Sequence, residues 1–187
     1  MAIIPAMDTR SPIPRSVAVC SYPSIPGSEG LAEEIVARLK RSGIKATRGT
    51  LVDPALRQTV LNGDVDMLIA LGGDGTMLRA GHLCGPKSVP VLGINLGHLG
   101  FLIEVERDGW GRALERVLTG DYWLESRMML RVTWMQGDQV QGEWDVLNEC
   151  AVSRGRSFRL VELVTEIDRT YLTTYEADAV ILATPTG

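Results

Sequence analysis

The sequence predicts an α/β domain built on a parallel sheet, followed by a β-rich second domain. Three observations carry this reading. Short apolar runs that read as buried strands alternate with amphipathic helical stretches as far as residue 121. Two glycine-rich turns follow two of those runs directly. From residue 122 the helical periodicity stops, and strand-like segments separated by hairpin turns replace it.

Taken in order, a Pro-rich leader over residues 1–15 precedes a short buried strand, Ser16–Cys20, whose exit loop runs from Ser21 to Gly27. A helix follows. Ser28 is its expected cap, Leu31, Ile35 and Leu39 recur on one face, Glu34 and Arg38 form an i,i+4 pair, and Gly43 supplies the stop. Lys45–Val52 reads as a second strand and Pro54–Leu61 as a weak helix. Met67–Leu71 reads as a third strand, Thr76–Cys84 as a helix and Val89–Ile94 as a fourth strand. Asp108 is the expected cap of a helix that carries Leu114, Val117 and Leu118 and ends at Gly120.

The first domain, residues 16–121, is therefore a Rossmann-like parallel sheet with helices. The second, residues 122–187, contains the strands Met128–Met135, Gln139–Val152, Phe158–Ile167, Thr170–Tyr175 and Ala179–Ala183. Gly137-Asp138 and Asp168-Arg169 supply hairpin turns. The last strand reads as fully buried and runs straight into Thr184–Gly187 with no partner for its far edge. An incomplete second domain, truncated after that motif, is the expectation.

Composition limits the function classes. At 187 residues, 45% hydrophobic and 22% charged, the chain is that of a globular protein with one full domain, or one domain plus part of a second, and disorder, collagen and coiled coil are excluded as its dominant state. Nineteen basic residues against 23 acidic ones give a net charge of -4, so no positive field captures nucleic acid or anionic lipid. No apolar run approaches the ~20 residues that span a bilayer. The apolar start Met1-Ala2-Ile3-Ile4 is broken by Pro5 and lacks a preceding basic residue, unlike a signal peptide, and a cytoplasmic location is expected. Cys20, Cys84 and Cys150 have neither disulfide-framework nor metal-ligand spacing and read as buried thiols. The four tryptophans, Trp110, Trp123, Trp134 and Trp144, read as core or interface residues.

The strongest chemical feature is Gly72-Gly73-Asp74-Gly75-Thr76, which stands between an apolar strand and a helix. Glycines permit a sharp bend, with positive φ, and the close approach of a ligand, while a helix start offers free N–H groups to an anion. That is phosphate-cradle chemistry. A P-loop would need Gly-Lys-Ser/Thr, and the dinucleotide fingerprint fails because Leu78 stands where its third glycine belongs. Among phosphates, a carboxylate such as Asp74 is repelled unless it holds a cation or takes a proton from an attacking hydroxyl. The plainer alternative is that Asp74 caps the following helix. The catalytic reading has the carboxylate meet a sugar hydroxyl, and it collapses if that carboxylate both points away from every crevice and is locked into internal bonds.

A second glycine-rich turn, Gly93-Ile94-Asn95-Leu96-Gly97-His98-Leu99-Gly100-Phe101, follows the next strand. If the two strands are neighbours, both turns open at the same carboxyl edge. An ordinary strand exit with a buried Phe101 is the competing reading. His98 reads as a loop residue and His82 as helix surface. Asn148-Glu149 interrupts an apolar strand, where paired polar side chains are costly unless they read a ligand or face water on an edge. Arg79 stands one turn into the helix, within reach of phosphate or solvent. Arg154, Arg156 and Arg159 read as a basic surface loop.

At these residues the sequence resembles the NAD kinases. Gly72-Gly73-Asp74-Gly75-Thr76, Asn95–Leu102, Leu147-Asn148-Glu149, and Ala177-Asp178 followed by Ala183-Thr184-Pro185-Thr186-Gly187 occur in that family's order. The first block is shared with diacylglycerol and sphingosine kinases; the later ones favour NAD kinase. The resemblance implies an α/β domain followed by a sandwich-like β domain with the site in the crevice between them. It implies transfer of a phosphoryl group from ATP, or from polyphosphate, to the 2′-hydroxyl of the adenosine ribose of NAD, giving NADP. Mg2+ or another divalent cation accompanies the ATP.

By the same resemblance Asp74 is the proton acceptor, and Gly72, Gly73, Gly75, Thr76 and Arg79 lie along the phosphates or the dinucleotide. Asn95 and Phe101 line the pocket, and Asn148 and Glu149 bind nucleoside hydroxyls and base. Asp178, Thr184 and Thr186 contact the dinucleotide, and Arg159 stands where some members use a histidine. No metal ligand is assigned. The family continues past Thr-Pro-Thr-Gly into a Ser-Thr-Ala-Tyr segment, and this chain ends before it, so the activity of the chain itself needs direct testing. Glu176 and Ala179 depart from the usual Arg and Gly. A homo-oligomer, dimer or tetramer, is implied by analogy. The alternatives are a lipid kinase of the same superfamily, marked by a large apolar mouth, and a nucleotide-binding module without catalysis.

Overall fold

The run Met67–Gly72 is buried at every position, the pattern of a parallel strand covered on both faces. In the computed structural model, which describes residues 11–97, 100–155 and 160–187, this strand, β3, lies at the centre of a five-stranded sheet. Its partners are β1 (Ser16–Cys20), β2 (Lys45–Gly49), β4 (Val91–Asn95) and β5 (Val105–Glu106). The order is β2-β1-β3-β4-β5, and every neighbouring pair is parallel. The chain divides into two compact units, Met1–Ser126, which holds this sheet, and Arg127–Gly187.

Period-two alternation sends the strand side chains to opposite faces. Val17, Val19, Ile69, Leu71 and Ile94 pack against Leu31, Ile35 and Leu39 of α1 (Ser28–Arg41) and, in the same core, Leu114 and Val117 of α4 (Trp110–Thr119). Ala18, Cys20, Leu68 and Ala70 face Leu56 and Val60 of α2 (Pro54–Leu61) and Ala80 and Leu83 of α3 (Asp74–Cys84). Helices thus cover both faces, as the alternation of elements predicts.

Several local expectations are corrected. Ser28 does not cap α1: Gly27 holds the cap position at φ 77, and the fully buried Ser28 hydroxyl instead donates to the Tyr22 carbonyl at 2.7 Å. A left-handed cap suits glycine, which has no Cβ to clash. Asp108 lies in a 3₁₀ turn, Arg107–Gly109, and Gly109 occupies the cap of α4. Arg38 forms its ion pair with Glu115 of α4, not with Glu34, because packing α1 beside α4 brings a carboxylate that lies 77 positions away in sequence.

The second unit is β-rich. Its strands form three antiparallel pairs: β6 (Leu130–Gln136) with β7 (Gln139–Val146), β8 (Glu149–Ser153) with β11 (Ala179–Ala183), and β9 (Val161–Ile167) with β10 (Thr170–Ala177). Gly137-Asp138 and Asp168-Arg169 turn two of the hairpins; Gly137, Asp168 and Arg169 take positive φ, the geometry that tight hairpins require. The single strand expected over Gln139–Val152 is broken at Leu147-Asn148. The expected start of the next strand at Phe158 lies outside the described residues. Of the four tryptophans only Trp110 packs against the core; Trp123, Trp134 and Trp144 are exposed. A two-stranded ribbon has no second layer to bury its large side chains. Among the described residues no helix is long and apolar enough to cross a membrane.

Candidate active site

The glycine-rich segment is shorter than a loop. Strand β3 continues through Gly72 and helix α3 begins at Asp74, so Gly73 alone joins them, at φ -110. None of Gly72, Gly73 and Gly75 has a positive φ, and the expectation that glycine serves a left-handed bend is corrected. At Gly72 the requirement is space. A Cβ there would stand 2.7 Å from the Thr76 Cβ and closer still to its hydroxyl, and Thr76 is buried. The Thr76 and Met77 amides donate to the Gly73 carbonyl at 2.9 and 3.1 Å, which starts the helix immediately.

Asp74 does not cap α3; the cap position belongs to Gly73, and no side chain bonds there. Its carboxylate turns instead to the segment after β4. Oδ2 accepts the Phe101 amide at 2.9 Å and Oδ1 accepts the Leu102 amide at 3.2 Å. Gly100 makes the approach feasible, since a Cβ at that position would lie 2.6 Å from Asp74 Cγ. Each carboxylate oxygen thus has one partner among the described residues. An ionised carboxylate offers about four lone-pair sites, so acceptor capacity remains on a residue that is itself partly exposed.

Strands β3 and β4 are adjacent, and Gly72 pairs with Asn95 in the register. Both glycine-rich segments therefore open at one carboxyl edge, as the sequence predicts. The Leu96 amide donates to the Gly72 carbonyl at 3.1 Å, and the buried Asn95 side chain accepts the Gly97 amide at 3.0 Å. Phe101 is not buried: its side chain is 98% exposed, at the residue whose amide Asp74 holds. Gly75 is exposed on the first turn of α3. Arg79, which is half-buried, lies over the Tyr22 ring, with its guanidinium carbon 5.5 Å from the ring centroid. His98 lies outside the described residues, as do Arg156 and Arg159, and His82 is exposed on α3.

In the second unit the strand pairing brings two distant motifs together. Ala183 pairs with Glu149 in the β8–β11 register, and the chain then folds back on Leu147-Asn148. The buried Thr184 hydroxyl donates to the Leu147 carbonyl at 2.5 Å, and the Thr184 amide donates to the Asn148 carbonyl at 2.8 Å. Thr184 Oγ1 accepts the Thr186 amide at 3.1 Å. Asn148 has a buried side-chain oxygen, Oδ1, with no partner among the described residues, whereas Glu149 is exposed. Asp178 is paired: its carboxylate lies 3.3 Å from Arg154 Nε, and its carbonyl accepts the Arg154 amide.

Sequence reasoning missed Gly100 and Tyr22. Gly100 had a usable cue in the Gly97-x-x-Gly100 spacing beside an aspartate-bearing turn. Tyr22 had a weaker one, an aromatic residue directly after the first strand of an α/β sheet, where ligands gather. Among the described residues no three His, Cys, Asp or Glu side chains cluster to hold a metal ion.

Comparison with known proteins follows the same lines. The sequence pattern of the ATP-NAD kinase N-terminal domain matches residues 22–122. A protein named NAD kinase from Geotalea daltonii is 39% identical over 184 residues, covering 92% of this chain and 63% of its own. Those from Chloroflexus aurantiacus and Symbiobacterium thermophilum are 41% and 44% identical, covering 91% and 83% of this chain and 62% and 57% of theirs. The chain thus spans less than two-thirds of the length of these curated relatives. The crystal structure of yeast NADH kinase complexed with NADH superposes with a TM-score of 0.78 at 24% identity, covering 92% of this chain and 58% of that one; it shares the fold.

Proposed function

The chain belongs to the NAD kinase family, and on that premise we propose that the protein serves the transfer of a phosphoryl group from ATP, or from polyphosphate, to the 2′-hydroxyl of the adenosine ribose of NAD, forming NADP. The observation that carries the reading is Asp74. A partly exposed carboxylate stands at the carboxyl end of the central strand, inside the region that matches the family pattern.

In this reading Asp74 accepts the proton of the attacking hydroxyl. Its two amide partners fix the carboxylate's direction and leave lone pairs for the sugar. Phosphoryl transfer needs little covalent chemistry from the protein, and positioning and charge stabilisation supply most of the rate. Gly72, Gly73, Gly75, Thr76 and Arg79 are the proposed phosphate contacts. Asn95, Phe101, Asp178, Thr184 and Thr186 are proposed to line or shape the dinucleotide site, with Arg159 beyond the described residues. The unpartnered Asn148 oxygen supports a role as acceptor for a nucleoside hydroxyl, because a buried carbonyl without a donor is costly until a ligand supplies one; Glu149 is proposed to bind beside it.

Magnesium is proposed to arrive on the donor's phosphates. That ion is ordinarily held by one or two carboxylates plus phosphate oxygens, and a carboxylate beside the phosphate segment suits it. A cytoplasmic location and self-association are part of the same proposal.

The test is NADP formation from NAD with ATP and Mg2+, read with an NADP-specific dehydrogenase, together with calorimetric binding of NAD. The expected result is NAD binding by the protein and NADP formation that Asp74→Asn lowers by ~10²–10⁴-fold. Absence of both binding and turnover would overturn the reading.

A further inference from the structure

We propose that Tyr22 is a positioning residue that orients the Arg79 guanidinium toward the phosphates of the phosphoryl donor. The inference rests on the functional reading above, and its evidence lies in the first unit alone.

Placement comes first. In the order β2-β1-β3-β4-β5 the chain leaves β1 for one side of the sheet and β3 for the other, so the switch point falls between these two strands. Ligands of open α/β sheets bind at the carboxyl ends of such strands. Tyr22 follows β1 directly, in the segment leading to α1, and Arg79 stands on α3, which follows β3. The two residues therefore reach toward each other from the two sides of the switch.

Rigidity comes next. The Tyr22 carbonyl accepts both the Ile25 amide at 2.9 Å and the Ser28 hydroxyl at 2.7 Å, and Ser28 is fully buried. The preceding residue, Ser21, is buried and donates its amide to the Gly49 carbonyl of β2 at 3.0 Å. The ring thus stands on a fixed main chain with only two side-chain torsions of its own.

The contact itself is suited to preorganisation. Arg79 lies over the ring at 5.5 Å from its centroid, within the range of a cation–π interaction. A hydrogen bond from Arg79, followed by its charge, pulls the phenol below its ordinary range, and Ser24 adds a weaker hydrogen bond. A guanidinium carries five N–H donors, so contact with one phenol leaves others for the oxygens of a phosphate. An arginine already fixed in one rotamer loses less freedom when it grips an anion.

The experiment is calorimetric titration of the protein with sodium tripolyphosphate at fixed ionic strength, in a double-mutant cycle of Tyr22→Leu and Arg79→Ala, with Tyr22→Phe as the conservative variant. Tyr22→Leu is expected to weaken binding about fivefold. Tyr22→Phe, which keeps the ring and loses the hydroxyl, is expected to fall between it and wild type. In the Arg79→Ala background Tyr22→Leu should have no further effect, since a positioning residue acts only through its partner. Unchanged affinity in Tyr22→Leu, or equal losses with and without Arg79, overturns the proposal while the functional reading stands. A wild-type protein that does not bind tripolyphosphate removes the phosphate role of the Gly72–Arg79 segment, and both readings fall together.

Discussion

Asp74 and Phe101 are bound to each other across the carboxyl edge of the sheet. The carboxylate of the first residue of α3 accepts the main-chain amide of Phe101 at 2.9 Å, and that residue's ring is 98% exposed. The residue proposed to take a proton therefore also fixes the backbone that carries an exposed aromatic residue. A carboxylate accepting backbone amides makes charge-assisted hydrogen bonds, which are stronger than neutral ones.

Asp74→Asn keeps the shape but offers one acceptor oxygen, so its amide group faces a backbone N–H. It is expected to cost about 1–3 kcal/mol of stability. Hydrogen exchange at the Phe101 and Leu102 amides should rise in step with the loss. Unchanged protection of both amides would show that the bonds do not hold this segment.

Gly100→Ala tests the same link from the other side without touching the acid. The new Cβ would collide with Asp74 Cγ, 2.6 Å away, and either the carboxylate or the segment must move. Overpacking of this kind costs about 1–3 kcal/mol. Turnover, or NAD affinity, should fall while circular dichroism stays native, and a variant with wild-type affinity and stability would refute the contact.

Thr184→Val removes one hydroxyl that serves two partners, the Leu147 carbonyl and the Thr186 amide. Both are then left unpaired next to a buried position, at a cost of about 1–3 kcal/mol. Faster exchange at the Thr186 amide and weaker NAD binding are expected, whereas Thr184→Ser, which keeps the hydroxyl, should restore both.

The thiols of Cys20 and Cys84 are each pushed up to about 12, by burial in both cases and, for Cys20, also by the neighbouring Cys84 and Asp53. The ionised form is the reactive one. At pH 8 a disulfide reagent should therefore label the half-buried Cys150 and reach the other two only after unfolding. The sign of the pH dependence follows from linkage: above pH 9 the unfolded thiols lose protons that the folded ones keep, so the folded state loses stability as pH rises from 9 toward 12. Melting temperatures across that interval should fall more steeply in wild type than in a Cys20→Ala, Cys84→Ala variant.

Much of the fold was legible because it is encoded by neighbours in the chain. The run Met67–Leu71 announces a buried strand, since a strand covered on both faces reads as a continuous apolar run. Leu31, Ile35 and Leu39 announce the buried face of α1 by their spacing. The Gly72–Thr76 segment was legible as a junction between a strand and a helix, because glycines there follow an apolar run directly. The partners of side chains were not legible. Trp134 and Trp144, which the sequence assigns to a core or interface, stand exposed on a two-stranded ribbon.

The sequence by itself determined the order of elements and the acid that follows the apolar run Met67–Leu71, because period, burial and turn chemistry act over a few residues. Tertiary structure alone decided that Asp74 bonds Phe101, 27 positions away, that Arg38 pairs with Glu115, and that Thr184 closes on Leu147. Such contacts depend on which strands lie side by side, and that choice is made by the collective burial of the sheet, not by the residues that end up touching.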